Sequence, residues 1–224
     1  MNDNSLPILY SLRQCPYCIR ARLGLLLAQQ PVMLREIVTR NKPAEMLATS
    51  AKGTVPILLL SDGTVVDESV DIMIWALTQN DPDNLLLSDQ QNGFKEMVEL
   101  INLNDKEFVC TLNAYKAASR YHDESVIDHR QGCERFIIEL EHRLTARDYL
   151  MGDAPSLVDY ALLPFIRQFS RVDRKWYANA PYPNLRYWLI KHYQQSHYTK
   201  TMTKYPEWLN DRETFLFCDL PPGR

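Results

Sequence analysis

Nothing in this chain marks it for a membrane or for nucleic acid. No apolar run approaches the roughly 20 residues that a bilayer-crossing helix needs. Basic residues are not in excess: 25 Lys and Arg against 28 Asp and Glu leave a net charge of −3. That balance gives no general attraction to phosphate backbones or anionic lipid. The five cysteines are an odd number and form no dense disulfide framework. The opening Met1-Asn2-Asp3-Asn4-Ser5 lacks the basic-then-apolar pattern of a secretory leader, so the expected setting is a reducing cytosol. His122, His129, His142, His192 and His197 include no pair at metal-ligand spacing near the cysteines, and all are assigned to structure or surface. There is no internal repeat and no low-complexity tract. What remains is 224 residues, 46% hydrophobic and 24% charged, enough for one large globular domain or two small ones.

The most informative stretch is Gln14-Cys15-Pro16-Tyr17-Cys18-Ile19. Ile8 to Leu12 before it has the composition of a buried strand, and Ile19 to Gln29 after it reads as helix, so the cysteines fall at a strand-to-helix turn. Pro16 suits the first turn of a helix, which places Cys15 at or just before the helix start. Backbone N–H groups and the helix dipole stabilise a thiolate there. Arg13, Arg20 and Arg22 are nearby cations whose help, if exposed, is weakened by salt. Cys15 is then the exposed nucleophile, and Cys18 the resolving or inert thiol. Half of a zinc site is the competing reading. It requires a second pair, and Cys110, Cys133 and Cys218 are single, so the spacing favours redox chemistry and no metal. Cys110 and Cys133 fall in helical patterns as small core residues, and Cys218 is expected as an exposed free thiol.

Val32 to Val38 alternates as a half-buried strand, and Pro43 opens a short helix through Thr49. Gly53 precedes the apolar strand Thr54–Leu60, in which Pro56 removes one donor. Asp62-Gly63 is a hairpin signal that returns Thr64-Val65-Val66 antiparallel. Ser69 is a plausible N-cap for a helix from Val70 to about Leu77. The chain then changes character, giving domain boundaries of 1–78, a linker 79–89 pinned by Leu85-Leu86-Leu87, and a helical domain 90–224. In that half, Phe94 to Tyr115 keeps a three/four spacing over about six turns, and Cys133 to Leu144 does the same. Ser156-Leu157-Val158-Asp159 is a capping-box-like start for a helix in which Pro164 requires a kink or local adjustment. Pro181 and Pro183 introduce a last amphipathic helix, and the tail from Trp208 to Arg224 shows no period. Tyr115, Trp176 and Tyr177 either border a second-substrate pocket or pack in the core.

The order β-α-β-α-β-β-α, with Cys-Pro-Tyr-Cys at its first turn, Val55-Pro56 before the third strand and Glu68-Ser69 before the third helix, resembles the thioredoxin-like domain of the glutathione transferase superfamily. The following half, with Ser156-Leu157-Val158-Asp159-Tyr160, resembles that superfamily's helical second domain. The likeness runs from about Leu6 to Tyr193. Cysteine at the active turn is similar to omega-class transferases, and the full motif with Arg20-Ala21-Arg22 is closer to glutaredoxins, including the two-domain, transferase-shaped one. The fold class this implies is an α/β thioredoxin-like domain followed by an all-α domain.

The resemblance also implies roles. Pro56 is cis, and the backbone of Val55 pairs with the cysteinyl part of glutathione. Glu68 holds the γ-glutamyl ammonium, while the Ser69 hydroxyl and the helix N-terminus take the carboxylate. Lys42 is the first candidate for the glycyl carboxylate, ahead of Arg40 and Lys52, and Tyr17 contacts the tripeptide beside Cys15. Three functions follow. The first is a glutathione-dependent thiol transferase that uses Cys15 on small-molecule or protein disulfides, with glutathione as cosubstrate. The second is a transferase that conjugates glutathione to electrophiles; it calls for a Ser or Tyr hydroxyl, and Tyr10 and Ser11 are less well placed than Cys15. The third is a non-catalytic scaffold. Two-fold dimers are common in the superfamily, the transferase-shaped glutaredoxin is a monomer, and no residue decides between them.

Overall fold

The computed structural model describes residues 6–218. The expectations for Met1–Ser5 and for the chain after Cys218 lie outside those residues. The chain forms two compact units, one running through Asp83 and resuming at Ser196, the other spanning Asn84–Gln195.

The first unit opens with β1 (Ile8–Ser11), α1 (Pro16–Leu27), β2 (Val32–Glu36), α2 (Ala44–Thr49), β3 (Ile57–Leu59), β4 (Val65–Val66) and α3 (Ser69–Gln79). β1 pairs parallel to β2, with Tyr10 opposite Arg35, and antiparallel to β3, with Leu9 opposite Leu58. This central place explains its composition, since a strand flanked on both edges and covered by helices has little contact with water. The Asp62-Gly63 hairpin forms as expected: Gly63 takes φ of +87°, and Leu60 N–H donates to Thr64 O at 2.8 Å. α1 is buried from Cys18 through Leu27 and packs on α3. Gly24 permits that approach, because a Cβ there would stand 2.7 Å from Met73 Cα. α3 begins one residue earlier than expected, with Glu68 at its N-cap and Ser69 as its first helical residue.

The second unit is helical. Leu85 and Leu87 are buried in it, and Leu157 N–H donates to Leu85 O at 2.8 Å, so the leucine run anchors where the unit begins. The helix expected from Phe94 to Tyr115 is α4 (Gly93–Leu103) and α5 (Val109–Tyr121) joined by a π turn over Asn104–Phe108. Apolar spacing alone does not announce that wider turn. α6 (Val126–Arg143) carries Cys133, Phe136, Ile137 and Leu140 on its buried face. α7 (Leu157–Val172) contains Pro164 without ending there, and α8 (Arg174–Asn179) and α9 (Pro183–Tyr193) complete the unit. The capping box is present in α7: the Ser156 side chain accepts the Asp159 backbone N–H, and the Asp159 carboxylate accepts the Ser156 N–H at 2.9 Å.

The expectation that the helical half runs to Arg224 is corrected. From Ser196 the chain rejoins the first unit through α10 (Ser196–Thr201), α11 (Trp208–Asp211) and β5 (Phe215–Phe217). β5 pairs antiparallel with β2, Leu34 opposite Phe215, giving a five-stranded mixed sheet of order β4-β3-β1-β2-β5. A three-residue strand is too short to show a period, so the tail read as irregular. Among the described residues no helix is long and apolar enough to cross a membrane.

Candidate active site around Cys15

Cys15 is the N-cap residue of α1, with extended backbone at φ −71° and ψ 126°, and Pro16 follows in the first turn. The turn closes when Cys15 N–H donates to Leu12 O at 3.0 Å. Cys15 is half-buried, and its Sγ lies 3.9 Å from the carbonyl oxygen of Val55. The Val55–Pro56 bond is cis. Cys18, one helical turn on, is fully buried, and its Sγ accepts the Leu12 N–H at 3.2 Å.

These surroundings drive the two thiols apart. The Cys15 pKa falls from 9.0 to about 6, chiefly because the Cys18 thiol donates to its sulfur. Partial burial opposes this, while the N–H groups of Cys18 and Tyr17 and the charge of Arg22 favour the thiolate. Cys18 moves the other way, pushed well up by burial and then by its bond to Cys15. Both directions favour a thiolate at Cys15 and a neutral thiol at Cys18.

Two of the three cations beside the motif are not surface charges. Arg20 and Arg22 are both fully buried, because α1 is enclosed nearly all round. Arg20 Nη1 donates to Ser69 Oγ at 3.3 Å, and its guanidinium lies 5.8 Å from the Tyr17 ring. Arg22 pairs with Glu36, a residue the sequence reading missed. A signal was available, since Val32, Leu34 and Glu36 occupy the buried face of β2 and a carboxylate in that register needs a buried partner.

Ser69 is buried at the start of α3, whereas Glu68 beside it is exposed. The first-turn N–H groups of α3, the Ser69 hydroxyl and the buried Arg20 together favour an anion there. Lys52 stands at the same place, 2.6 Å from Glu68 and 3.0 Å from Asp67, and Ser50 donates to Asp67 at 2.6 Å. Lys42 and Arg40 are exposed in the loop ahead of α2. The structure thus joins Cys15, Cys18 and Val55-Pro56 directly, and joins Arg20 to Ser69 and Lys52 to Glu68. Among the described residues no hydrogen bond or ion pair ties Lys42 to them.

Other expectations change. Cys110 is exposed, not a core residue, and Cys218 is half-buried, with its thiol 3.6 Å from Leu25 O. Tyr115 and Tyr177 are core residues around Phe169, with ring centroids 6.0 and 5.9 Å from it, and Trp176 lies half-buried under Arg130. Among the described residues no group of three or more His, Cys, Asp or Glu could hold a metal ion.

Residues 9–84 match the family described as glutathione S-transferase, N-terminal domain, and residues 110–190 match glutathione S-transferase, C-terminal domain. The chain is 28% identical over 209 residues to glutathione S-transferase omega-1 of Mus musculus, covering 90% of this chain and 83% of that protein. A glutathione transferase family member from Pseudomonas fluorescens Pf-5, solved with two glutathione bound, has a TM-score of 0.77 at 16% identity, covering 90% of this chain and 94% of that one. A structure of glutathione S-transferase-I bound with lactoylglutathione gives a TM-score of 0.75 at 20% identity over 88% and 99% of the two chains.

Proposed function

The chain belongs to the glutathione transferase superfamily, and from that premise we propose that it is a glutathione-dependent thiol transferase whose nucleophile is Cys15. One observation carries this choice within the family: the half-buried Cys15 at the start of α1, its pKa drawn to about 6 by the Cys18 thiol. A sulfur that is largely thiolate at neutral pH attacks disulfides.

In this reading the Cys15 thiolate attacks the glutathione sulfur of a mixed disulfide, and the other thiol departs with the bonding electrons. A second glutathione thiolate then attacks the same sulfur, releasing oxidised glutathione and restoring the Cys15 thiolate. The Val55 backbone pairs with the cysteinyl part of the tripeptide, beside the cis Pro56. Glu68 takes the ammonium once Lys52 gives way, and Ser69 with the α3 N-terminus takes the γ-glutamyl carboxylate. Lys42 remains the candidate for the glycyl carboxylate, and Tyr17 for a flank of the tripeptide. Cys18 opens a dithiol route on protein disulfides. The setting proposed is the cytoplasm.

Conjugation to electrophiles is the competing activity, and burial counts against it. Tyr10 and Ser11, the two hydroxyl residues nearest the motif, are both fully buried, with their oxygens accepting from Arg35 at 2.7 Å and Arg22 at 2.8 Å. Neither hydroxyl is open to a glutathione sulfur.

The test is reduction of a small glutathione mixed disulfide by wild type, Cys15→Ser and Cys18→Ser, with an electrophilic aromatic substrate run in parallel. Turnover is expected in the wild type and Cys18→Ser, and a loss of at least about 100-fold in Cys15→Ser. Full reductase activity in Cys15→Ser, or conjugation without reduction in the wild type, would reject the assignment.

A further inference from the structure

A buried ion pair lies behind the thiol turn, and its contacts converge on that turn. Arg22 is fully buried, and the Glu36 side chain is 9% exposed. Arg22 Nη2 donates to Glu36 Oε2, Nε to Ser11 Oγ at 2.8 Å, and Nη1 to Thr201 O at 3.3 Å. The second oxygen of Glu36 accepts the backbone N–H of Arg13 at 2.7 Å. Three consecutive residues are thus tied down: Ser11 by Arg22, Leu12 by Cys15 and Cys18, and Arg13 by Glu36. A buried ion pair adds little net stability over an apolar pair of similar volume, so stability alone gives weak reason for it here.

Resting on the reading of Cys15 as the nucleophile, we propose that Arg22 and Glu36 are positioning residues for it. Glu36 grips the Arg13 N–H, and Arg22 fixes Glu36, so Cys15 meets α1 where the Cys18 thiol and the helix N–H groups reach its sulfur.

The proposal makes a prediction opposite in sign to simple electrostatics. Removing a carboxylate near a thiolate should, by Coulomb's law, leave the thiol more acidic. If Glu36 acts by holding the turn, Glu36→Leu makes Cys15 less acidic, because the donors to its sulfur lose their alignment. Glu36→Gln keeps an oxygen acceptor for Arg13 N–H, so its midpoint should not rise above the wild-type value.

The experiment is the pH dependence of Cys15 alkylation by iodoacetamide, read by mass on the Cys15 peptide of the full chain, with circular dichroism checking the fold. It needs no glutathione turnover, so failure of the enzymatic assignment and failure of this proposal are distinguishable. The expected result is a midpoint about one unit higher in Glu36→Leu, a tenfold loss of thiolate at limiting pH, and no rise in Glu36→Gln. An unchanged or lower midpoint in Glu36→Leu overturns the proposal, as does an equal rise in both variants. Should Glu36→Leu fail to fold, the double variants Arg22→Met/Glu36→Leu and Arg22→Met/Glu36→Gln are compared, because both lack both charges and only the second keeps an acceptor for the Arg13 N–H. The first must then show the higher midpoint, and equal midpoints overturn the proposal.

Discussion

Cys15 and Cys18 lie one turn apart at the head of α1, and their surroundings draw the half-buried thiol down to about 6 while burial pushes the buried one up. Since the Cys18 thiol is the largest cause of the low Cys15 pKa, removing that donor should cost more than moving any nearby charge. Cys18→Ala should raise the alkylation midpoint of Cys15 by about one unit or more, and Cys18→Ser, which retains a donor, should raise it less. The pH profile of thiol transfer should move with it. The same thiol links pH to stability. Its pKa is lower folded, about 6, than the ordinary 9.0, so its contribution is complete above pH 9 and is lost as pH falls through 6. Urea midpoints at pH 6 and pH 9 should therefore differ less in Cys15→Ser than in the wild type.

At the scale of elements, the strand–turn–helix around Cys15 was legible because Pro16 fixes where α1 begins, and the Asp62-Gly63 hairpin because its glycine needs positive φ. The burial of Arg20 and Arg22 was not legible. Charged residues on a helix read as a solvated face, and only the packing of α1 against its surroundings shows otherwise. Cys110 was misplaced for a simple angular reason. At about 100° per residue, it points away from the buried stripe of Phe108, Leu112 and Tyr115. Asp159 was legible as a cap but not in its reach. Besides Ser156 it accepts the Leu150 N–H at 3.0 Å and the Trp188 Nε1–H at 2.8 Å, joining the loop before α7 to α9. Asp159→Ala would leave several buried donors without acceptors, each worth about 1–3 kcal/mol. The expected loss of stability is about 3–5 kcal/mol by urea unfolding, and a loss under about 1 kcal/mol would show that the loop and α9 find other partners.

Over the whole chain, the sheet unit is assembled from two stretches of sequence separated by the 112 residues of Asn84–Gln195. The later stretch is built into it at several points. β5 covers the outer edge of β2, and the Thr201 carbonyl accepts from the buried Arg22. Trp208 enters the cluster of Tyr10, Ile37, Met46 and Ile57, against which Leu12 and Val55 of the thiol site also pack. Arg35 and Arg212 lie 4.3 and 4.4 Å from the Trp208 ring, and Arg212 pairs with Glu45 at 2.7 Å. A chain ending at Asp83 would expose the β2 edge, which invites strand pairing between molecules, and would leave the hole of a buried tryptophan. Such a shortened chain should show no cooperative thermal unfolding, even though it carries every residue proposed to bind glutathione. Joining residues 6–83 to 196–218 through a flexible linker should restore cooperativity, because loop closure costs grow only slowly with length and the missing contacts are all returned. If the fragment ending at Asp83 folds cooperatively alone, the returning segment is an appendage of the sheet, and the thiol site depends only on the first stretch.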